Sequence, residues 1–167
     1  LTNAFTFEAW VNPSTGDGRM LWHRNPDDQG ANTLYQLSTL PGGAVYFSAR
    51  LGNTDYPLMT TATLPVGVWT HVALTFDGAW LRIYFNGVEM ASRGASGALG
   101  STNEPMEIGS AFGGRLDEVR LYRRALGPAE IATDLATPVD SRQSVIASLT
   151  PVSGASGQSV TISGVNF

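Results

Sequence analysis

Residues 69–92 read WTHVALTFDGAWLRIYFNGVEMAS: three short runs of aromatic, aliphatic and β-branched residues, separated by Asp77-Gly78-Ala79 and by Asn86-Gly87. Asp-Gly and Asn-Gly tolerate positive φ and make tight loops whose twist matches that of the flanking strands. The block is therefore predicted to be three consecutive antiparallel strands. The same logic places strands at 5–12, 20–23, 33–39, 44–50, 58–63, 106–110 and 115–122, with Pro41-Gly42-Gly43 turning the chain between the third and fourth of these. Short strands at close spacing with almost no helical periodicity are the pattern of an all-β sandwich or barrel. In FTFEAWVN, Phe5, Phe7, Ala9 and Val11 share one face and Thr6, Glu8, Trp10 and Asn12 the other, so one side is expected to be core and the other to carry a tryptophan. One short helix is expected at 128–135. There Pro128 follows Gly127, Glu130 suits the positive end, and Ile131 and Leu135 make an apolar pair.

Composition narrows the function. At 167 residues the chain can bury one full core and carry a short second unit. With 43% hydrophobic and 14% charged residues it is too apolar for disorder, and it has no apolar run long enough to insert into a membrane as a helix. Cysteine is absent, which removes disulfides, thiol nucleophiles and zinc thiolates together. All ten basic residues are Arg, so neither a Schiff base nor a Lys-Asn isopeptide cross-link can form. The net charge of -4, with Arg scattered from Arg19 to Arg142, offers no basic stripe for a phosphate backbone, and nucleic acid is not an expected partner.

Four segments carry a resemblance. FTFEAWVNP (5–13), VGVWTHVALTFDG (66–78), LRIYFNGV (81–88) and GGRLDEVRLYRRALGPAEI (113–131) resemble, in order and spacing, the laminin G-like domains of the concanavalin A-like lectin/glucanase superfamily found in bacterial secreted proteins. The tail VIASLTPVSGASGQSVTISGVNF (145–167) resembles the opening of an immunoglobulin-like IPT/TIG domain. The resemblance implies a jelly-roll sandwich over 1–135, a polar linker at 136–144, and a partial IPT/TIG unit at 145–167. It also implies a secreted or cell-surface setting. Relatives carry further strands ahead of the position of Leu1, so the sandwich is expected to lack them and to self-associate through exposed sheet edges.

Glucanases of this general fold set three alternate carboxylates on one strand. The acids here, Asp27-Asp28, Asp117-Glu118 and Glu104 with Glu107, do not repeat that pattern, and catalysis is not expected. Of the two histidines, His71 in WTHVAL stands where the resemblance implies a packed strand residue, and His23 has no activated serine near it in sequence. The superfamily often holds calcium on carboxylate and backbone oxygens. The resemblance implies Asp117 as a ligand, with Asp27 and Asp28 of RNPDDQGAN as further oxygens, although Asp and Asn also populate ordinary turns.

For a sugar, the useful groups are aromatic faces flanked by planar polar side chains. Trp22 with Arg24, Tyr56 beside Asn53 and Asp55, and Trp80 after the 77–79 turn are the loop-edge candidates, whereas Trp10 and Trp69 fall within expected strands and read as packed. Singly exposed aromatics are also ordinary. Three readings follow: an extracellular glycan-binding or adhesive module, a protein-binding spacer of a surface stalk, and an accessory domain of a polysaccharide-degrading enzyme.

Overall fold

The computed structural model describes residues 3–24 and 33–139, and the backbone of Val145–Thr150 and Thr161–Val165. The strands are β1 (Phe5–Arg24), β2 (Thr33–Thr39), β3 (Ala44–Leu51), β4 (Thr54–Thr63), β5 (Thr70–Phe76), β6 (Trp80–Phe85), β7 (Val88–Gly94) and β8 (Glu107–Tyr122), followed by helix α1 (Pro128–Ala136). The chain divides into a unit of Leu1–Ala136 and a unit of Thr137–Phe167. In the second, β9 (Val145–Thr150) and β10 (Thr161–Val165) pair antiparallel.

The hydrogen-bonded order β4-β3-β2-β1-β5-β6-β7, with β8 also on β1, is one continuous antiparallel sheet folded on itself into a jelly-roll sandwich. The fold line lies in β1 and β8. The first half of β1 pairs with β5 (Phe5↔Phe76 to Val11↔Thr70), its second half with β2 (Gly18↔Thr39 to Arg24↔Thr33), and β8 accompanies both halves. Layer A is thus β8, β1, β5, β6 and β7, and layer B is β8, β1, β2, β3 and β4. Phe5 of layer A lies 6.3 Å from Phe47 and 6.0 Å from Tyr35 of layer B, so the two inner faces meet through aromatic rings.

Two pairs of strands expected to be separate are single strands here. Segments 5–12 and 20–23 join into β1, and 106–110 and 115–122 join into β8, because the two strands pair on both sides of an irregular corner (Pro13↔Gly114, Gly18↔Phe112). The corner depends on glycine. A Cβ on Gly18, whose φ is +148°, would stand 2.8 Å from the Ala111 carbonyl oxygen, and one on Gly114 would strike the Asn12 carbonyl and Pro13. Backbone against backbone cannot give way, so Gly18→Ala should cost about 1–3 kcal/mol. A lower urea midpoint with unchanged slope checks this; an unchanged midpoint would remove glycine from the corner's requirements.

The expected pattern in β1 is half right. Phe5, Phe7, Ala9 and Val11 are fully buried in the core, but Thr6 and Glu8 on the opposite face are buried as well. The reason is α1, whose Ile131 is fully buried and packs with Ala73, Tyr84 and Leu126 on the outside of layer A. The Thr6 hydroxyl ties the preceding loop down, donating to the Arg124 carbonyl (3.0 Å) and accepting from the Leu126 amide (2.8 Å). The helix starts as its sequence predicts: Glu130 accepts from the Gly127 amide at 2.9 Å and pairs with Arg124 at 2.7 Å. Trp69 differs from expectation, since it precedes β5 and is 39% exposed. The strand expected at 58–63 begins earlier, at Thr54.

Candidate functional site

With the outside of layer A partly roofed by α1 and its loop, the outside of layer B is the open sheet face among the described residues. Which side chains reach it is set by two bulges. Pairing between β1 and β2 slips between Arg19 and Leu21, and both Met20 and Leu21 are fully buried. One residue is thereby added to the inward set, leaving Arg19 and Trp22 outside. A second slip between His23 and Arg24 likewise turns Arg24 and Thr33 outward. Cross-strand register then lays out two rows, Glu107–Trp22–Gln36–Ser48–Pro57 and Ala111–Arg19–Ser38–Tyr46–Met59.

Trp22 is the centre of this face. The Arg19 guanidinium carbon sits 4.1 Å from its ring centroid and that of Arg24 5.6 Å, while its indole N–H donates to the Thr33 hydroxyl at 3.2 Å. Arg24 also reaches Glu104 at 3.6 Å, and the Glu104 carbonyl lies 2.9 Å from His23 Nε2. The indole is therefore tethered through its N–H to Thr33 with two cations near its ring, an aromatic surface beside planar hydrogen-bonding groups.

Of the residues singled out from sequence, Trp22, Arg24 and Asp55 share the layer B exterior, where Asp55 is 3.8 Å from Arg50, and Asn53 is exposed in the adjacent β3–β4 turn. Tyr56 is not with them. It pairs with Ala49, packs against the core, and has the Arg93 guanidinium 5.6 Å from its ring. Trp80 is on the outside of layer A, because Leu81, its neighbour in β6, faces the core. Asp27 and Asp28 lie outside the described residues. Asp117 is exposed, with one carboxylate oxygen accepting from the Glu118 amide at 2.8 Å, in a bulge where Glu118 has φ +53°. Among the described residues no three His, Cys, Asp or Glu side chains come together to hold a metal. Calcium takes about six to eight oxygens, so Asp117 alone does not supply a site. Sequence reasoning missed Arg19, Gln36, Tyr46 and Ser48. Strand alternation could have placed Gln36, Tyr46 and Ser48 outward, but their alignment with Trp22 depends on register.

The strongest electrostatic perturbation lies elsewhere, under α1. Glu8 and His71 are both fully buried. Burial first, and the neighbouring Asp134 second, push the Glu8 carboxyl up to about 8, against a partial offset from Arg120, its cross-strand partner. No donor reaches either Glu8 oxygen among the described residues, but a neutral Glu8 can give its proton to Asp134, which also accepts from the Tyr122 hydroxyl at 2.7 Å. The Arg120 guanidinium donates to the Asp134 carbonyl at 3.2 Å. His71 packs edge-on against Trp10, with centroids 5.7 Å apart, and burial pulls it down to about 4. Glu8 and His71 are buried, and Arg120, Tyr122 and Glu8 tie Asp134 of the helix to the sheet.

Residues 1–132 match the laminin G type 3 family, described as the concanavalin A-like lectin/glucanases superfamily, and the chain belongs to it. Several solved structures are similar in fold. One is a candidate carbohydrate binding protein from Bacteroides ovatus (19% identity, TM-score 0.60, 78% of this chain and 40% of that one). Another is domain 4 of an extracellular arabinanase from Geobacillus stearothermophilus in complex with arabinotriose (24%, 0.53, 81% and 68%). A third is the CBM40 of a Ruminococcus gnavus IT-sialidase bound to α2,3-sialyllactose (20%, 0.59, 78% and 82%). The chain thus spans less than half of the Bacteroides protein. No helix among the described residues is long and apolar enough to cross a membrane.

Proposed function

We propose that this chain is a non-catalytic carbohydrate-recognition module that works outside the cell and takes a glycan on the open face of layer B. The observation that carries the reading is Trp22, held beside Arg19 and Arg24 and next to a row of Gln36 and Ser48. An indole edge and face can stack on the C–H surface of a pyranose, while guanidinium, amide and hydroxyl groups pair with its hydroxyls. Two relatives of the same fold hold arabinotriose and α2,3-sialyllactose, which supports a sugar as the ligand class. The reading of no turnover chemistry is supported by the burial of Glu8, whose carboxyl is the one pushed toward the range of a general acid, and of His71, which burial pulls away from neutrality. Calcium could reinforce such a site only with oxygens additional to Asp117. The second unit, with its β9–β10 hairpin, we read as the opening of an immunoglobulin-like IPT/TIG domain.

The test is a glycan array probed with wild type and Trp22→Ala. Truncating a central aromatic anchor costs about 2 kcal/mol or more, so the affinity of the layer B face itself should weaken roughly 30-fold. Matching profiles for the two proteins would end the layer B assignment, and steady hydrolysis of a bound glycan by the purified chain would end the non-catalytic one.

A further inference from the structure

Part of layer A is uncovered among the described residues. Where the roof of α1 stops, the turn at Asp77, the outward side chains of β6 and β7, and the loop before the helix enclose a cleft of about 420 Å³ lined by Asp77, Arg82, Tyr84, Glu89 and residues 125–128. Asp77 and Arg82 are fixed by short hydrogen bonds. The Arg82 guanidinium is held by Asp77 at 2.6 Å and Glu89 at 3.7 Å. The other Asp77 oxygen accepts from the amides of Ala79 (2.9 Å) and Trp80 (2.7 Å), which locks the turn that presents Trp80. Burial works against the Asp77 charge, but the hydrogen bonds from Arg82, Ala79 and Trp80 outweigh it and keep the carboxylate ionised below its ordinary range. Trp80 stands beside the cleft with 46% of its surface exposed, its ring centroid 5.7 Å from the Arg82 guanidinium carbon.

A lone exposed indole needs no explanation. An exposed indole on a pinned turn, beside a concave site whose Asp77 carboxylate and Arg82 guanidinium are already oriented, is a different object. An apolar face meets acceptors and donors that lost their freedom on folding, so little entropy remains to be lost when a polyhydroxylated ligand arrives. Asp77 and Glu89 can accept from neighbouring hydroxyls, and the Arg82 N–H groups not turned to them can donate.

We infer that the cleft beside Trp80 is a second glycan site, on the face of the sandwich opposite Trp22, so that one module bridges two carbohydrate chains. The choice of a sugar as ligand class rests on the reading above; the site itself does not. Because the two faces point away from each other, the second site adds bridging rather than avidity on a single flat surface.

Beads coated with the strongest array ligand test this. Wild type should agglutinate them. Trp22→Ala and Trp80→Ala should each still bind beads yet fail to agglutinate, the double variant should not bind, and Trp80→Tyr, which keeps a stacking face, should restore bridging. Far-UV circular dichroism establishes that each variant folds. Agglutination by Trp80→Ala at the wild-type level, or loss of all binding in Trp22→Ala alone, would overturn the second site. Binding lost in Trp80→Ala and kept in full by Trp22→Ala would instead remove the layer B site and leave this one. A wild type blind to the whole array would overturn both.

Discussion

Phe5→Ala should lower the unfolding free energy by about 3–5 kcal/mol, a large part of the stability of a domain this size. Phe5 is fully buried at the place where the layers meet, with ring centroids of Tyr35, Phe47 and Phe76 at 6.0, 6.3 and 6.1 Å. Removing the ring takes away the transfer free energy of the side chain and leaves a cavity. Three aromatic neighbours on two different strand pairs cannot all collapse into that space. The check is chemical denaturation of both proteins. Trp80→Ala serves as a surface reference expected to stay within about 0.5 kcal/mol of wild type. A Phe5→Ala midpoint equal to that of the reference would mean that the layers do not meet at Phe5.

The second large effect depends on pH. Glu8 is raised in the folded state from 4.5 to about 8, so the folded chain keeps a proton that the unfolded chain has released. Its contribution is full below pH 4.5 and is lost as pH climbs through 8. His71 is lowered from 6.5 to about 4, so its contribution runs the other way: it is full above pH 6.5 and is lost as pH falls through 4. Between about pH 4.5 and 6.5 the two slopes cancel. Above 6.5 the Glu8 slope is no longer offset by His71, and the chain should lose about 2 kcal/mol by pH 8. Glu8→Gln keeps the shape, can donate an amide hydrogen to Asp134, and cannot ionise. Its stability should therefore be flat across pH 6.5–8. Equal slopes for wild type and Glu8→Gln would show that the buried carboxyl does not govern this range. The fall reports directly on the attachment of α1, since an ionised Glu8 would face the Asp134 carboxylate that holds the helix.

Much of the sandwich was legible because its signals are local. Asn86, at φ +47°, and Gly87, at +79°, form the tight loop that the dipeptide predicts, and β5, β6 and β7 follow on either side of the two turns. The helix was legible through Gly127-Pro128 and Glu130. Glu8 shows where local reading stops. Alternation put it on the outer face of β1, where a carboxylate is expected to meet water. The helix that covers it begins 120 residues later, and no pattern in FTFEAWVN reports that cover.

The candidate site divides the same way. Residue chemistry alone selected Trp22 and Arg24, and it equally selected Tyr56 and Trp80, because an aromatic near a turn looks the same whichever way it points. The bulge at Met20 moves one residue to the inside and thereby keeps Trp22 and Arg19 together on the outside, while Tyr56 turns toward Ala49 and the core. Turn chemistry, strand period and helix caps are interactions among residues a few positions apart, so the sequence by itself determined most strand segments and the tight turns between them, but not that 5–24 and 107–122 each run on as one strand. Bulge position, cross-strand register and the roofing of one face depend on partners far along the chain. Only the tertiary structure decided that one outer face is closed over a buried acid and the other is open around an indole.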